Sequence, residues 1–167
     1  MSFYVALLPA NPANQVEREE DDLPDSVEPI EVADAACEAL SEFGTRFTAG
    51  GFGDQHWRVD VYTDLAVIVP QLDKAVAKLE ERQEAELAFY EQGVERNVML
   101  RPEEAGDSLA LECVSYGHWV PTAPDESASW SATLTMLRQF QADIAAEVRA
   151  AWPQMALLQP FANWLVR

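Results

Sequence analysis

Hydrophobic and polar positions along the chain follow two periods, one suited to strands and one to helices. Residues 3–8 form an apolar run closed by Pro9 and followed by Asn-Pro-Ala-Asn, which reads as a buried strand and a turn. Between Pro29 and Gly44, Ala33, Ala36, Cys37 and Leu40 recur at helical spacing, with Pro29 suited to a first turn and Gly44 to a stop. Residues 45–48, the segment Ala-Gly-Gly-Phe-Gly-Asp and residues 55–62 predict a β-hairpin. In its second arm Trp57, Val59 and Val61 alternate with His56, Arg58, Asp60 and Tyr62. The apolar run 65–69, ended by Pro70, fits a strand or the lead into a helix, with strand preferred.

Further along, Leu72, Val76, Leu79, Leu87 and Tyr90 lie on one helical stripe, which predicts a helix over 71–92 stopped by Gly93. A short strand is expected over 97–100. Another is expected over 108–114, where Leu109, Leu111 and Cys113 alternate with Ala110, Glu112 and Val114, before a bulge or turn at Gly117. A loop rich in Pro121, Pro124, Asp125 and Ser127 then leads to a helix over 129–152, with Trp130, Leu134, Leu137, Ile144 and Val148 on one face and Pro153 forbidding continuation. The tail over 153–167 is too apolar to stay in water and should dock, with a short helix after Pro160. The fold class is therefore α+β: one domain over 1–167, with an antiparallel or mixed sheet packed against about three main helices. No internal repeat or linker interrupts it.

Composition sharpens this picture through charge. The 167 residues include 49% hydrophobic side chains, enough for a substantial core, and 29 acidic against 11 basic residues, a net charge of −18. Such a surface repels phosphate and anionic lipid, which argues against direct nucleic-acid or membrane binding and points to a basic protein as partner. Nine carboxylates fall between residues 17 and 34, against the single Arg18, whereas the chain from Ala123 onward carries four acids and three bases. Residues 17–28 read as an acidic surface loop, and Glu28, Glu31 and Asp34 sit at the positive end of the following helix, each worth roughly 0.3–1 kcal/mol through the helix dipole.

Candidate chemistry is sparse. Cys37 and Cys113 lie far apart in apolar segments and read as buried thiols, without disulfide or zinc-ribbon spacing. The N-terminal apolar run stops at Leu8, short of a secretory core, and no stretch reaches the roughly 18 apolar residues of a membrane span, so a cytoplasmic location is expected. His56 and His118 are isolated, and a nucleophile set of Cys113, His118 and a carboxylate conflicts with the placement of Cys113 on an apolar strand face. Gly50, Gly51 and Gly53 lack the spacing of a phosphate cradle, and the run from Glu19 to Asp22 lacks the spaced ligands and turn glycine of a calcium loop. No cofactor or metal is expected.

These features favour a binding protein over an enzyme. The candidate partner contacts are the acids Glu19, Glu20, Asp21, Asp22, Asp25 and Glu28, together with two aromatic residues. Trp119 is one, and Phe52, at a glycine-flexed tip, either folds back on the sheet or anchors a partner. In size and charge the chain resembles the small acidic immunity proteins of bacterial toxin systems, a likeness that carries no motif and transfers no residue. The expectation is an immunity- or antitoxin-type inhibitor, monomeric or weakly dimeric, that covers a basic toxin or nuclease. The alternatives are an adaptor or chaperone for a basic effector, a nucleic-acid mimic, or a small enzyme built on His118 and carboxylates.

Overall fold

A computed structural model describes residues 3–11, 23–89, 95–104 and 106–165. The architecture is α+β. Strand β1 (Tyr4–Leu8) pairs antiparallel with β2 (Arg46–Gly50), Tyr4 opposite Gly50. Strands β3 (Ala85–Phe89), β4 (Arg96–Pro102), β5 (Ser108–Ser115) and β6 (Asp125–Ser129) form an antiparallel sheet in sequential order. Three main helices, α1 (Pro29–Phe43), α2 (Ala66–Glu80) and α3 (Trp130–Ala151), pack on one another, with α2 against β3 and α3 against β1.

Helix α1 buries Val32, Ala33, Ala36, Cys37, Ala39, Leu40 and Phe43, the face that its helical periodicity defines, and ends at Gly44 with φ 93. Only glycine enters that left-handed region freely, and the Gly44 N–H satisfies the Leu40 and Ser41 carbonyls. Helix α3 starts where Ser129 accepts from the Ala132 N–H, 3.0 Å. The tail docks as expected: Met155, Phe161 and Trp164 are buried, and the Trp164 indole donates to Asp73, 2.7 Å. Both thiols are buried and free.

Four expectations are corrected. Residues 55–62 form no strand. Trp57 and Val61 are buried while Arg58, Asp60 and Tyr62 are exposed, so the alternation is real. Yet the segment meets β2 through a bond from the Trp57 N–H to the Ala49 carbonyl, 2.9 Å, and leaves it where Asp60 caps a wide π turn, Val61–Leu65. The run 65–69 is helical, the continuation of that turn into α2, with Pro70 inside the helix.

The helix predicted over 71–92 stops at Glu80, and β3 follows. Arg82 turns the chain at φ 58, a conformation usually left to glycine, and is held there by stacking on Trp130 at 3.9 Å and donating to the Gly106 carbonyl at 2.8 Å. The expected stop at Gly93 lies outside the described residues. Finally, the polar stretch at 125–128, expected as a loop, forms with Ser129 the edge strand β6, paired with β5 from Glu112 opposite Asp125 to Ser108 opposite Ser129.

Candidate functional site

Two regions bring charge against apolar surface. The first is internal. Arg96, at the start of β4, is 4% exposed, and its guanidinium lies between two indoles, 4.5 Å from Trp57 and 3.4 Å from Trp119. Among the described residues its ion pair, to Asp54, is 4.0 Å long, and its Nε and Nη1 have no hydrogen-bond partner. Burial draws the Arg96 pKa below its ordinary value, and interactions with Cys113, Asp54 and Asp64 oppose that shift. Around this cation, Phe3, Phe52, Trp57, Phe89 and Trp119 form a continuous set of ring contacts with centroids 5.2–6.3 Å apart.

This arrangement decides between the two readings of Phe52, which is 0% exposed. Phe52 adopts φ 58 between Gly51 and Gly53, and the Glu126 carboxylate accepts the N–H groups of both Phe52, 2.5 Å, and Phe3, 2.8 Å. A Cβ at Gly53 would collide with Thr122 Oγ1 at 1.7 Å, so the turn lies pressed against the loop after β5. Phe52 therefore folds back into the core and does not present an anchor. Trp119 is half-buried, its ring engaged by Arg96 and Trp57, while its loop neighbours Tyr116 and Val120 are exposed.

A cysteine nucleophile finds no support in this region. Burial pushes the Cys113 thiol up to about 11; Arg96 opposes the shift and Glu126 adds to it, so the thiolate is scarce at neutral pH. His118 is exposed in the loop beyond β5. Among the described residues, no group of three or more histidine, cysteine or acidic side chains could hold a metal ion, and no helix is long and apolar enough to cross a membrane.

The second region lies on the outside, along the seam of α1 and α2. The 3–4 spacing that buries one face of α1 leaves Glu31, Asp34, Glu38 and Glu42 on the other, all exposed, and α1 contains no basic residue. Of the acids expected to contact a partner, Asp25 and Glu28 are exposed just before this helix; Glu19, Glu20, Asp21 and Asp22 lie outside the described residues. Three apolar side chains stand open nearby in sequence or along the seam: Val27, 74% exposed, Ile30, 65%, and Tyr62, 60%.

Two adjoining troughs follow the seam, of about 490 and 510 Å3, sharing Asp34, Ala66 and Val67. The first is walled by Glu31, Glu38 and Tyr62, the second by Ile30, Pro70, Lys74 and Lys78. The π turn over Val61–Leu65, where the Leu65 N–H bonds five residues back to the Asp60 carbonyl, 3.1 Å, sets Tyr62 and Thr63 in this wall. Gln71 fixes the other side: its amide donates to the Ala88 carbonyl, 2.8 Å, and accepts from the Ala88 N–H, 2.9 Å, pairing edge strand β3 with a side chain.

Sequence alone points to the charged segment before α1 but not to the trough, because the π turn precedes, and the lysine wall lies on, a helix whose first residues read as a strand. Comparison with known protein families, curated proteins and solved structures finds no match for this chain.

Proposed function

We propose that this chain acts by binding rather than by catalysis. It holds a basic protein on the acidic face of α1, as an immunity- or antitoxin-type inhibitor covers a basic toxin or nuclease. The observation that carries this reading is the exposed stripe Glu31, Asp34, Glu38 and Glu42 on a helix without a single base, beside the open apolar side chains Ile30 and Tyr62. Carboxylates gathered on one face steer a cationic partner and raise its association rate roughly 10 to 1,000-fold at low salt. Apolar side chains next to that stripe slow dissociation once the partner has docked. The acidic run at 17–22 carries the same charge along the sequence toward α1.

The test is capture from the cell of origin by the tagged chain at low and at high salt, followed by assay of the captured protein. The expected result is a stoichiometric basic protein retained at low salt, released at high salt, not captured by a Glu31→Lys/Glu38→Lys chain, and inactive when mixed with an equimolar amount of the native chain. Retention of no protein at either salt overturns binding as the function. A retained partner that keeps its full activity overturns inhibition and leaves an adaptor or chaperone role.

A further inference from the structure

We propose that the trough between α1 and α2 seats a short amphipathic helix of the basic partner. An aliphatic side chain rests on the Val67 and Pro70 floor, lysine or arginine side chains face Glu31 and Glu38, and a carboxylate faces Lys74 and Lys78. This inference rests on the reading of α1 as the partner-binding face and adds the form and polarity of what binds there.

The floor is the first reason. It is made of Ala66, Val67, Pro70 and Ala75, small or compact side chains that let a second backbone approach to the roughly 8–10 Å typical of packed helices. Ile30 stands 65% exposed in its wall. An apolar side chain left open beside an apolar floor gains by being covered, at roughly 25 cal/mol for each Å2 removed from water.

Length is the second. Glu31 and Glu38 are seven residues apart on α1, a rise of about 10 Å, which matches two turns of an apposed helix. A helix-in-groove ligand places its apolar anchors on such a stripe and its charges along the flanks.

Polarity is the third. The two sides of the seam carry opposite signs: Glu31 and Glu38 of α1 line the first trough, and Lys74 and Lys78 of α2 line the adjoining one. Among the described residues, neither Lys74, Lys78, Glu31 nor Glu38 forms an ion pair within the chain. Glu86, which also lines the lysine side, is engaged by the Asn97 amide at 2.5 Å. A purely cationic segment would set its own charge against the lysines, whereas one with a basic and an acidic flank satisfies both walls. A second copy of this chain is the wrong occupant, because it would bring two acidic α1 faces together on molecules that each carry −18.

The probe is a synthetic amphipathic helical peptide with a leucine stripe, lysines along one flank, two glutamates along the other and a net positive charge. Its binding is measured by calorimetry at low salt, beside an all-lysine version and a version with serine in place of leucine. The expected result is saturable binding of the first peptide, weakened about tenfold by the serine version and by Val67→Trp in the trough. Thermal unfolding of the Val67→Trp chain reports whether it remains folded. The exposed-surface variant Lys74→Glu/Lys78→Glu provides the same test without touching the floor. Although more acidic, it should bind the glutamate-bearing peptide about tenfold more weakly and the all-lysine peptide more tightly.

Tighter binding of the glutamate-bearing peptide by the lysine-reversed chain overturns the inference, as does the absence of saturable binding by the native chain. In either case the α1 reading stands if Glu31→Lys/Glu38→Lys still abolishes capture of the natural partner. Unchanged capture and unchanged peptide binding by that variant remove both.

Discussion

Arg96 and the carboxylates of α1 are both charges set against apolar surface, but the chain treats them in opposite ways. Arg96 is closed over by the indoles of Trp57 and Trp119, with two of its N–H-bearing nitrogens left without acceptors. Glu31 and Glu38 stay in water, at the edge of a trough that is left open. The aromatic cluster is closed: its rings contact one another, and Glu126 takes the N–H groups of Phe3 and Phe52. The seam of α1 and α2 is unfinished, with separated charges of both signs and open apolar side chains. A region that the chain closes over reads as structure, and one that it leaves open reads as a place for something else.

The largest expected effects fall on the finished region. Trp57 is 5% exposed and touches Phe3, Phe52, Phe89 and Trp119 as well as Arg96. Trp57→Ala should cost about 4 kcal/mol, lowering Tm by roughly 10 °C in calorimetry. A loss below about 1 kcal/mol would show that the cluster is not holding the fold.

Arg96→Ala should cost about 3 kcal/mol, because it opens a cavity between two indoles and removes the cation near Asp54 and Asp64. Arg96→Met, which fills the slot with an apolar chain and removes two N–H-bearing nitrogens that lack acceptors, should lie within about 1 kcal/mol of the native chain. Equal losses in the two variants would mean that the charge, and not the filling of the slot, is what matters there. Denaturant unfolding at neutral pH separates the cases.

The same contrast decides how much could be read from the sequence. The helical face of α1 was legible, since one periodic pattern buries Cys37 and Leu40 and, by the same geometry, exposes Glu31, Asp34 and Glu38. The Arg96 cluster was not. Residues 57, 96 and 119 come from three separate segments, and only their tertiary approach reveals the stack.

The helix end at Arg82 was hidden for a related reason: a left-handed residue that is not glycine is stabilised by Trp130 and Gly106, far along the chain. The strand pattern at 55–62 had the right inward and outward positions, but the segment bonds to β2 through the Trp57 N–H and then turns away at Asp60, so periodicity gave burial without giving a ladder. The glycines that flank Phe52 leave both a buried and an exposed tip open to it. The carboxylate that draws its turn into the core lies on β6, a strand too polar to be predicted.

A smaller effect is expected in alkali, again within the finished region. Unfolded thiols ionise near 9.0, whereas the folded chain holds the Cys113 proton up to about 11 through burial, with Arg96 opposing and Glu126 adding, and it raises Cys37 through burial together with Asp34 and Asp60. A folded value above the unfolded one means that this contribution is fully present below about pH 9 and is lost as pH rises toward 11. Stability should therefore decline over that window, and Cys113→Ala should flatten the decline while lowering stability at pH 7. A thiol reagent at pH 8 should modify neither cysteine until the chain unfolds. Prompt modification of the folded chain would contradict the packing around β5.

The smallest expected changes in stability lie in the unfinished region, where the comparison is sharpest. Glu38 is exposed in the middle of α1 and makes no ion pair among the described residues, so Glu38→Lys should alter stability by less than about 0.5 kcal/mol. Glu31 lies in the first turn, where the helix dipole favours an acid, and Glu31→Lys should cost about 0.5 kcal/mol more than the change at Glu38. On the binding reading proposed above, both chains should nevertheless lose the basic partner, because the exposed carboxylates Glu31 and Glu38, and not a contact that holds the fold, supply the attraction. A loss of several kcal/mol at Glu38 would mean that this carboxylate is already engaged within the chain, and the seam would then belong with the Arg96 cluster as finished structure.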